Sequence, residues 1–207
     1  MNYPVVIRRV VIVGILIGGG LSIRHWNVRI TDAARAKSAM KCSYSIHQAL
    51  YAYSTMHDGD FPTAKHTSNE AFRELFKEGL IYDESLFYVK GSAWHGGAKQ
   101  DGRMGDDADG FAEALGPGEN PWAYTSGLNE KTSAPSIPIV MDGFTDVIGT
   151  WCDDPQARGG VWKGKYQIIV QVGGNAHVYD EIKQSQAILD LVKTVPGAKL
   201  LNPDPPK

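Results

Sequence analysis

The sequence predicts an α+β fold in which a long N-terminal helical spine packs against a small antiparallel β-sheet. Three observations lead to this fold class. An apolar stretch leads into a segment without proline or glycine, strand-like segments occur only in the second half, and 43% of the 207 residues are hydrophobic. This hydrophobic content is enough to form a packed core. The first part of the spine is predicted to be embedded in a membrane.

The N-terminus is both apolar and basic. Residues 1–50 contain seven Lys or Arg residues and a single acid, Asp32, although the whole chain carries a net charge of -2. The apolar run over residues 10–23, extended by residues 5–7, is nearly long enough to span a bilayer. We therefore predict a membrane anchor over residues 1–26, followed by an exported domain. A cleaved secretory peptide and a buried core helix are the alternatives.

Small residues within the apolar run would let a neighbouring helix approach its backbone closely. These residues are Gly14, Gly18, Gly19 and Gly20. We predict that they form the helix-packing surface of the anchor.

The second part of the spine, residues 27–57, has the spacing of an amphipathic helix. One predicted buried stripe recurs at intervals of four and three: Ala39, Ser43, Ile46, Leu50 and Tyr53. A neighbouring stripe, predicted to widen the buried face, consists of Met40, Tyr44, His47 and Tyr51. Gly59 is predicted to end the helix in a left-handed conformation, with Pro62 beyond it.

The remainder of the globular domain, which extends to residue 200, combines one short helix, a loop, strands and a final helix. The short helix is predicted to be capped by Ser68 or Asn69 and closed by Gly79. Pro138 suggests an edge strand or a strand start. The predicted ranges are a loop over 91–118, strands over 136–142, 165–172 and 176–180 with a hairpin between the last two, a helix over 180–194, and a Pro-rich tail over 201–207.

Several of these blocks resemble the type IV pilin-like proteins and the pseudopilins of type II secretion. Residues 41–50 (KCSYSIHQAL), Tyr53 and residues 58–62 (DGDFP) resemble the stretch that follows the membrane segment in prepilin-like proteins. Later blocks of the same proteins are similar to residues 69–80 (NEAFRELFKEGL), 122–130 (WAYTSGLNE) and 170–179 (VQVGGNAHVY).

This resemblance implies a structural subunit of a type II secretion or type IV pilus-like assembly. The implied partners are the bacterial inner membrane, other pilin-like subunits and assembly components. The C-terminal domain would then be periplasmic or part of an extracellular filament. The chain departs from the family at the processing junction: it lacks the Gly-Phe-Thr-Leu-x-Glu motif, and no glutamate precedes Glu70.

Other function classes receive less support from the sequence. It contains no nucleophile elbow, P-loop, dinucleotide fingerprint or HExxH helix, so we predict no enzymatic activity. The net charge gives no basic footprint for nucleic acid. The alternative function is a secreted or periplasmic binding module, released by signal peptidase, that recognises a glycan or a surface partner through tryptophans. In the structural interpretation, the tryptophans belong to an aromatic cluster that packs the sheet on the spine. The members of this cluster are Trp122, Tyr124, Trp151, Trp162 and Tyr166.

The candidate site is an acidic, glycine-rich loop whose carboxylates could supply hard oxygen ligands to Ca²⁺. The candidate ligands are Asp101, Asp106, Asp107 and Asp109. The alternative is a solvated acidic turn, because the spacing does not fit an EF-hand and Arg103 lies among the acids. No other cofactor is predicted.

The two cysteines, Cys42 and Cys152, could form a disulfide between the spine and the later loop if the domain is periplasmic. Closing such a long loop would stabilise the fold by ~4–5 kcal/mol in the chain-entropy model. Two free, buried thiols are the alternative.

Overall fold

The computed structural model describes residues 31–97, 100–106 and 108–206. The chain divides into two compact units, residues 1–35 and residues 36–207. The described part of the first unit is helical, and there Arg35 Nη1 lies 4.0 Å from Asp32 Oδ1. The predicted anchor over residues 1–26, with Gly14, Gly18, Gly19 and Gly20, lies outside the described residues. Within the described ranges, no helix combines the length and the apolar character needed to cross a membrane.

The described chain has the α+β architecture that the sequence predicts, with a five-stranded antiparallel sheet in the order β4-β3-β2-β1-β5. Its helices are α1 (residues 31–56), α2 (Ser68–Lys77) and α3 (Ile182–Leu189), with 3₁₀ helices at Glu84–Phe87, Ala93–His95 and Asp190–Thr194. The strands are β1 (Trp122–Ser126), β2 (Pro138–Asp142), β3 (Gln167–Gln171), β4 (Ala176–Tyr179) and β5 (Lys199–Leu201).

Helix α1 buries the first predicted stripe except for Tyr53, which is half-buried, and only part of the second. Ile46 and Leu50 are fully buried, as predicted. In the second stripe His47 is buried and donates from Nε2 to the Val172 carbonyl at 2.9 Å, whereas Tyr44 and Tyr51 are 41% and 48% exposed. The predicted width of the buried face was therefore wrong, because one edge of that stripe points to solvent.

The predicted end of α1 is confirmed. The helix stops at residue 56, and Gly59 has a φ of +96°, which only glycine adopts without strain. The Gly59 N–H donates to the Ser54 carbonyl at 2.7 Å, so it satisfies one of the last free carbonyls of the helix.

The predicted N-cap of α2 was wrong. Thr67 occupies the cap position with an extended φ of −134° and makes no side-chain cap bond. Ser68 and Asn69 are instead buried inside the first turn, where Ser68 Oγ donates to the Trp122 carbonyl at 2.7 Å and Asn69 Nδ2 to the Leu115 carbonyl at 2.6 Å. These bonds attach α2 to β1 and to the loop that precedes β1.

Three predicted strands are found close to their predicted ranges, together with the hairpin between β3 and β4. Pro138 is the first residue of β2, so the predicted strand start is confirmed. The edge-strand alternative was wrong, because β2 lies in the middle of the sheet. The ladder shifts register between Pro138 and Val140, which accommodates a residue that cannot donate a backbone hydrogen bond.

The sheet has a helix-packed layer on each face. Successive side chains of β1 and β3 alternate between two core clusters, as the period of two in a strand requires. The cluster shared with α1 and α2 includes Trp122, Tyr124, Ile168 and Val170, and the opposite cluster includes Ala123, Met141, Ile169, Trp151 and Leu189. Trp151 therefore packs on the face away from α1, which corrects the prediction that the whole aromatic cluster joins the sheet to the spine.

The predicted Pro-rich tail is integrated into the domain. Leu201 belongs to β5, and the Asp204 carbonyl accepts a hydrogen bond from the Gly118 N–H at 3.1 Å. A side chain at Gly96 would lie 2.5 Å from Pro206, so the tail runs directly against this glycine. The end of the chain thus supports the loop that precedes β1.

Candidate functional site

Three carboxylates from separate segments converge beside the loop before β1. One oxygen each of Glu84, Asp101 and Glu119 lies within 4.8 Å of the other two. We call these three residues the carboxylate cluster. Glu84 is 2% exposed and Glu119 is 6% exposed, whereas the Asp101 side chain is 53% exposed. The cluster therefore has a buried interior and one opening to solvent.

Glu84 is buried because it begins a 3₁₀ helix whose apolar residues enter the core. Asp83 caps this helix by accepting from the Ser85 N–H at 2.8 Å, and Phe87 at its end is fully buried. Glu84 Oε1 accepts a hydrogen bond from the Leu115 N–H at 2.5 Å. Its second oxygen, Oε2, is buried and has no hydrogen-bond partner.

Glu119 is held by a tight turn ahead of β1. Its Oε2 accepts from the Gly116 N–H at 2.6 Å, and its own N–H donates to the Gly116 carbonyl at 3.0 Å. Its Oε1 accepts from the Asp101 N–H at 2.8 Å. Glu119 therefore ties the glycine-rich loop to the start of the sheet and places Asp101 beside it.

The cluster is a site of uncompensated negative charge. The pKa of Glu84 is raised to about 7: burial is the largest cause, the Leu115 N–H opposes it, and the nearby carboxylates of Glu119 and Asp101 add to the rise. Among the described residues neither buried glutamate forms an ion pair. Arg103 Nε lies 3.9 Å from Asp101 Oδ2, but its side chain is 76% exposed.

The structure does not bring the acids of the predicted calcium loop together at one site. Asp101 joins the carboxylate cluster, whereas Asp106 accepts from the Asp109 N–H at 3.0 Å in a local, exposed turn. Asp107 lies outside the described residues. In the described ranges the carboxylate cluster is the group of three or more ligand-type side chains that could hold a metal ion.

Sequence reasoning missed the two buried glutamates of this cluster. Glu84 follows Asp83 in a short segment flanked by apolar residues, and an acid in such a segment is an unusual candidate for burial. Glu119 lies in a Gly-Pro-Gly-Glu turn directly before a strand. The apolar neighbours of Glu84 and the turn around Glu119 were local signals that could have identified both residues as candidates. Their proximity to Asp101 follows only from the fold.

A second surface feature is a groove of about 540 Å³ between α1 and the β3–β4 hairpin. We call it the α1 groove. Its walls include Tyr44, His47 and Tyr51 on α1, and Pro135, Val172 and Gly173 opposite. The His47 ring stacks between the two tyrosines, with ring centroids 6.2 Å and 6.5 Å away. Burial lowers the pKa of His47, which keeps its imidazole neutral at physiological pH.

Both cysteines are free thiols in the structure. Cys42 packs against the main core cluster, and burial raises its pKa. Cys152 Sγ lies 3.6 Å from the Arg158 carbonyl. Of the two predicted alternatives, the structure therefore has the free, partly buried thiols and no Cys42–Cys152 disulfide.

Tryptophan platforms for a glycan are not found among the described residues. Trp94, Trp122, Trp151 and Trp162 are all at most 8% exposed. The large exposed aromatic side chains in these ranges are tyrosines: Tyr44, Tyr51, Tyr82 and Tyr88.

Asp142 is a further buried acid that sequence reasoning missed. It lies at the end of β2, and burial raises its pKa to about 7. Its Oδ2 accepts from Trp162 Nε1 at 2.9 Å and from the Ile168 N–H at 2.8 Å. These bonds give Asp142 a structural role in joining the aromatic cluster to the sheet.

Comparison with known proteins identifies no relative. No protein family, no curated protein and no solved structure matches this chain. The function is therefore inferred from the residues of the chain itself.

Proposed function

We propose that this protein is a membrane-anchored, pilin-like structural subunit of a type II secretion or type IV pilus-like assembly. Its anchor would lie in the bacterial inner membrane and its globular domain outside the cytoplasm. One observation carries the proposal: α1 buries one side on the sheet and leaves its other side as a continuous uncovered surface.

The uncovered surface follows the helical repeat at intervals of four and three. Its members are Lys37, Lys41, Tyr44, Gln48, Tyr51 and Thr55, all of them exposed. We call this set the α1 stripe. Residues at these intervals share one face of a helix, so a neighbouring helix can pack along the whole stripe. Tyrosine is enriched at protein–protein interfaces, where its ring is buried and its hydroxyl stays hydrogen-bonded.

The sequence before α1 supports the same function. An apolar, basic segment precedes the helix, and such a segment can fix the domain at a membrane surface. Subunits held in one membrane meet at high effective concentration, so a modest contact along the α1 stripe can suffice for assembly. Because no glutamate lies in the anchor, we place the subunit contact on the α1 stripe rather than on a glutamate paired with an amino terminus.

The proposal can be tested by site-specific photo-cross-linking of the full chain in intact cells. A photoreactive phenylalanine analogue replaces Tyr51 in one variant and Tyr82 in a matched control. Tyr82 is 78% exposed and does not belong to the α1 stripe. We expect cross-linked pilin-like partners or second copies in the membrane fraction at position 51 and none at position 82.

Two results would contradict this function. The first is an uncross-linked monomer at position 51 in the membrane fraction. The second is a mature N-terminus near residues 21–23 in soluble protein, as measured by mass spectrometry, because it would show that the anchor is removed.

The α1 groove favours a second candidate function, the recognition of a glycan. Tyr44 and Tyr51 lie two helical turns apart, about 10.5 Å along the axis, on the same side of α1. Half-exposed aromatic rings at this spacing can stack on successive sugar rings. Polysaccharide binding that is lost in Tyr51→Ala and kept in Tyr82→Ala would support this candidate, and equal binding by both variants would exclude it.

A further inference from the structure

We propose that the carboxylate cluster of Glu84, Asp101 and Glu119 is a calcium-binding site. This inference does not depend on the proposed assembly function. It rests on the separation of the three carboxylates, on a buried oxygen that lacks a partner, and on the balance of charge around it.

The separation of the oxygens fits a single Ca²⁺ ion. Calcium binds oxygen ligands at 2.3–2.6 Å, so two ligands of one ion can be at most about 5 Å apart. The three ligand oxygens of the cluster lie within 4.8 Å of one another. They come from a 3₁₀ helix, a loop and a turn, and one ion between them would link all three segments.

The second observation is the unpartnered oxygen of Glu84. The residue is 2% exposed, its Oε1 is occupied by the Leu115 N–H, and its Oε2 is buried without any hydrogen bond. A buried polar group without a hydrogen-bond partner destabilises the fold, and a charged one does so more strongly. Three buried side-chain polar atoms of the described chain lack a partner, and Glu84 Oε2 is the only carboxylate oxygen among them. A cation supplies the missing partner.

The charge balance points in the same direction. Glu119 directs its two oxygens to backbone N–H groups and receives no cationic side chain in the described ranges. A proton on Glu84 would neutralise one carboxyl and leave Glu119 and Asp101 charged beside it. A divalent cation offsets two charges and leaves the backbone hydrogen bonds in place, because a carboxylate oxygen has a second lone pair.

The ligand chemistry selects the class of ion. Oxygen ligands alone favour Ca²⁺ and Mg²⁺ over zinc or copper, which prefer nitrogen and sulfur. Mg²⁺ requires near-ideal octahedral geometry, whereas Ca²⁺ accepts irregular ligand sets. The cluster is assembled from a short 3₁₀ helix, a loop and a turn, and Asp101 at its surface gives the ion a route from solvent. These features favour Ca²⁺.

The test is calcium binding by the purified full chain, kept in a mild detergent and stripped with a chelator. Equilibrium dialysis against radioactive Ca²⁺ measures stoichiometry and affinity. We expect one Ca²⁺ per chain and an affinity for Mg²⁺ at least about tenfold weaker. We also expect the thermal midpoint to rise when Ca²⁺ is added.

Isosteric variants locate the ion. Asp101→Asn changes an exposed side chain and leaves the buried part of the cluster intact, and Glu84→Gln keeps the acceptor for the Leu115 N–H. We expect each to weaken Ca²⁺ binding at least about tenfold, since each removes a charged ligand. Asp106→Asn is the matched control, because Asp106 is an exposed acid of the same loop outside the cluster. We expect it to bind Ca²⁺ like the unchanged chain.

Either of two outcomes overturns the proposal. One is the absence of saturable Ca²⁺ binding by the unchanged chain at millimolar concentrations. The other is an equal loss of affinity in Asp101→Asn and Asp106→Asn, which would indicate diffuse attraction by the acidic loop. If Glu84→Gln does not fold, the comparison between the two aspartate variants decides the matter.

Discussion

Asp142 and Glu84 are both buried carboxylates, and burial raises the pKa of each to about 7. Their hydrogen bonds differ. Asp142, at the end of β2, accepts two hydrogen bonds with one oxygen, from Trp162 Nε1 and from the Ile168 N–H. Glu84 satisfies one oxygen with the Leu115 N–H and leaves the other unpaired, and its carboxylate lies close to two more acids.

The difference shows that a raised pKa does not by itself indicate a binding site. Desolvation acts on both acids in the same way, because it depends on burial alone. The surrounding donors distinguish them: Asp142 holds parts of the fold together, whereas Glu84 has an oxygen free for a ligand. Predictions about Asp142 therefore concern stability, and those about the carboxylate cluster concern ion binding.

The largest effect is expected in the pH dependence of stability, measured by urea unfolding of the full chain with chelator present. The folded pKa of Asp142, about 7, lies above its ordinary value of 3.8. Its contribution to stability is therefore fully present below pH 3.8 and is lost as the pH rises through 7. Between pH 3.8 and 7, the titration of Asp142 is expected to lower the free energy of unfolding by about 4 kcal/mol.

Asp142→Asn removes this titration and is expected to make the stability profile between pH 3.8 and 7 less steep. The slope that remains is the contribution of Glu84, whose pKa is also raised to about 7. Asp106→Asn is the control for a surface aspartate and should leave the profile unchanged. A profile in Asp142→Asn that is as steep as that of the unchanged chain would mean that Asp142 is not the titrating group.

A smaller loss of stability is expected for Asp142→Ala at pH 5. The substitution removes the acceptor of two buried donors, Trp162 Nε1 and the Ile168 N–H, and each unpaired donor costs about 1–3 kcal/mol. We expect the free energy of unfolding to fall by about 3 kcal/mol. Asp142→Asn retains an acceptor and should lose less; equal losses in both variants would refute a role for these hydrogen bonds.

The smallest effect on stability is expected for Gly116→Ala, which tests the carboxylate cluster. A Cβ at this position would lie 2.9 Å from Glu119 Oε2, so the carboxylate has to move. We expect a loss of about 1 kcal/mol in stability together with weaker Ca²⁺ binding. Gly102→Ala is not a suitable control because its φ is +70°.

Ala112→Gly, in the same loop but outside the cluster, provides a comparison for a change of similar size. It should leave Ca²⁺ affinity unaltered. Unchanged Ca²⁺ affinity in Gly116→Ala would show that the position of Glu119 does not matter for the ion.

Much of the fold was predictable because it depends on short-range patterns. The repeat of Ile46 and Leu50 located the buried side of α1, Gly59 marked its end, and the turn over residues 173–175 located the β3–β4 hairpin. Strands β1 and β5 were not predicted. Strands β1, β2 and β3 are all buried on both faces, but β1 (WAYTS) contains a single β-branched residue, whereas β2 and β3 contain runs of Ile and Val that mark a strand. Strand β5 is only three residues long and lies at the start of the predicted tail.

The site was only partly predictable. Asp101 was identified from its acidic, glycine-rich surroundings, whereas Asp106 and Asp109 shared those surroundings and lie in a separate exposed turn. Glu84 and Glu119 were missed because no local pattern relates them to Asp101. In the fold the two glutamates accept hydrogen bonds from the N–H groups of neighbouring residues, Glu84 from Leu115 and Glu119 from Gly116.

The sequence by itself determined the α+β class, the amphipathic character of α1 and the position of the hairpin, because each depends on the spacing of neighbouring side chains. Only the tertiary structure decided which acids are buried, which of them have partners and which aromatic residues face α1. Burial and hydrogen-bond satisfaction depend on residues that are distant in the chain. Trp151 on the far face of the sheet and the unpaired oxygen of Glu84 are the clearest cases.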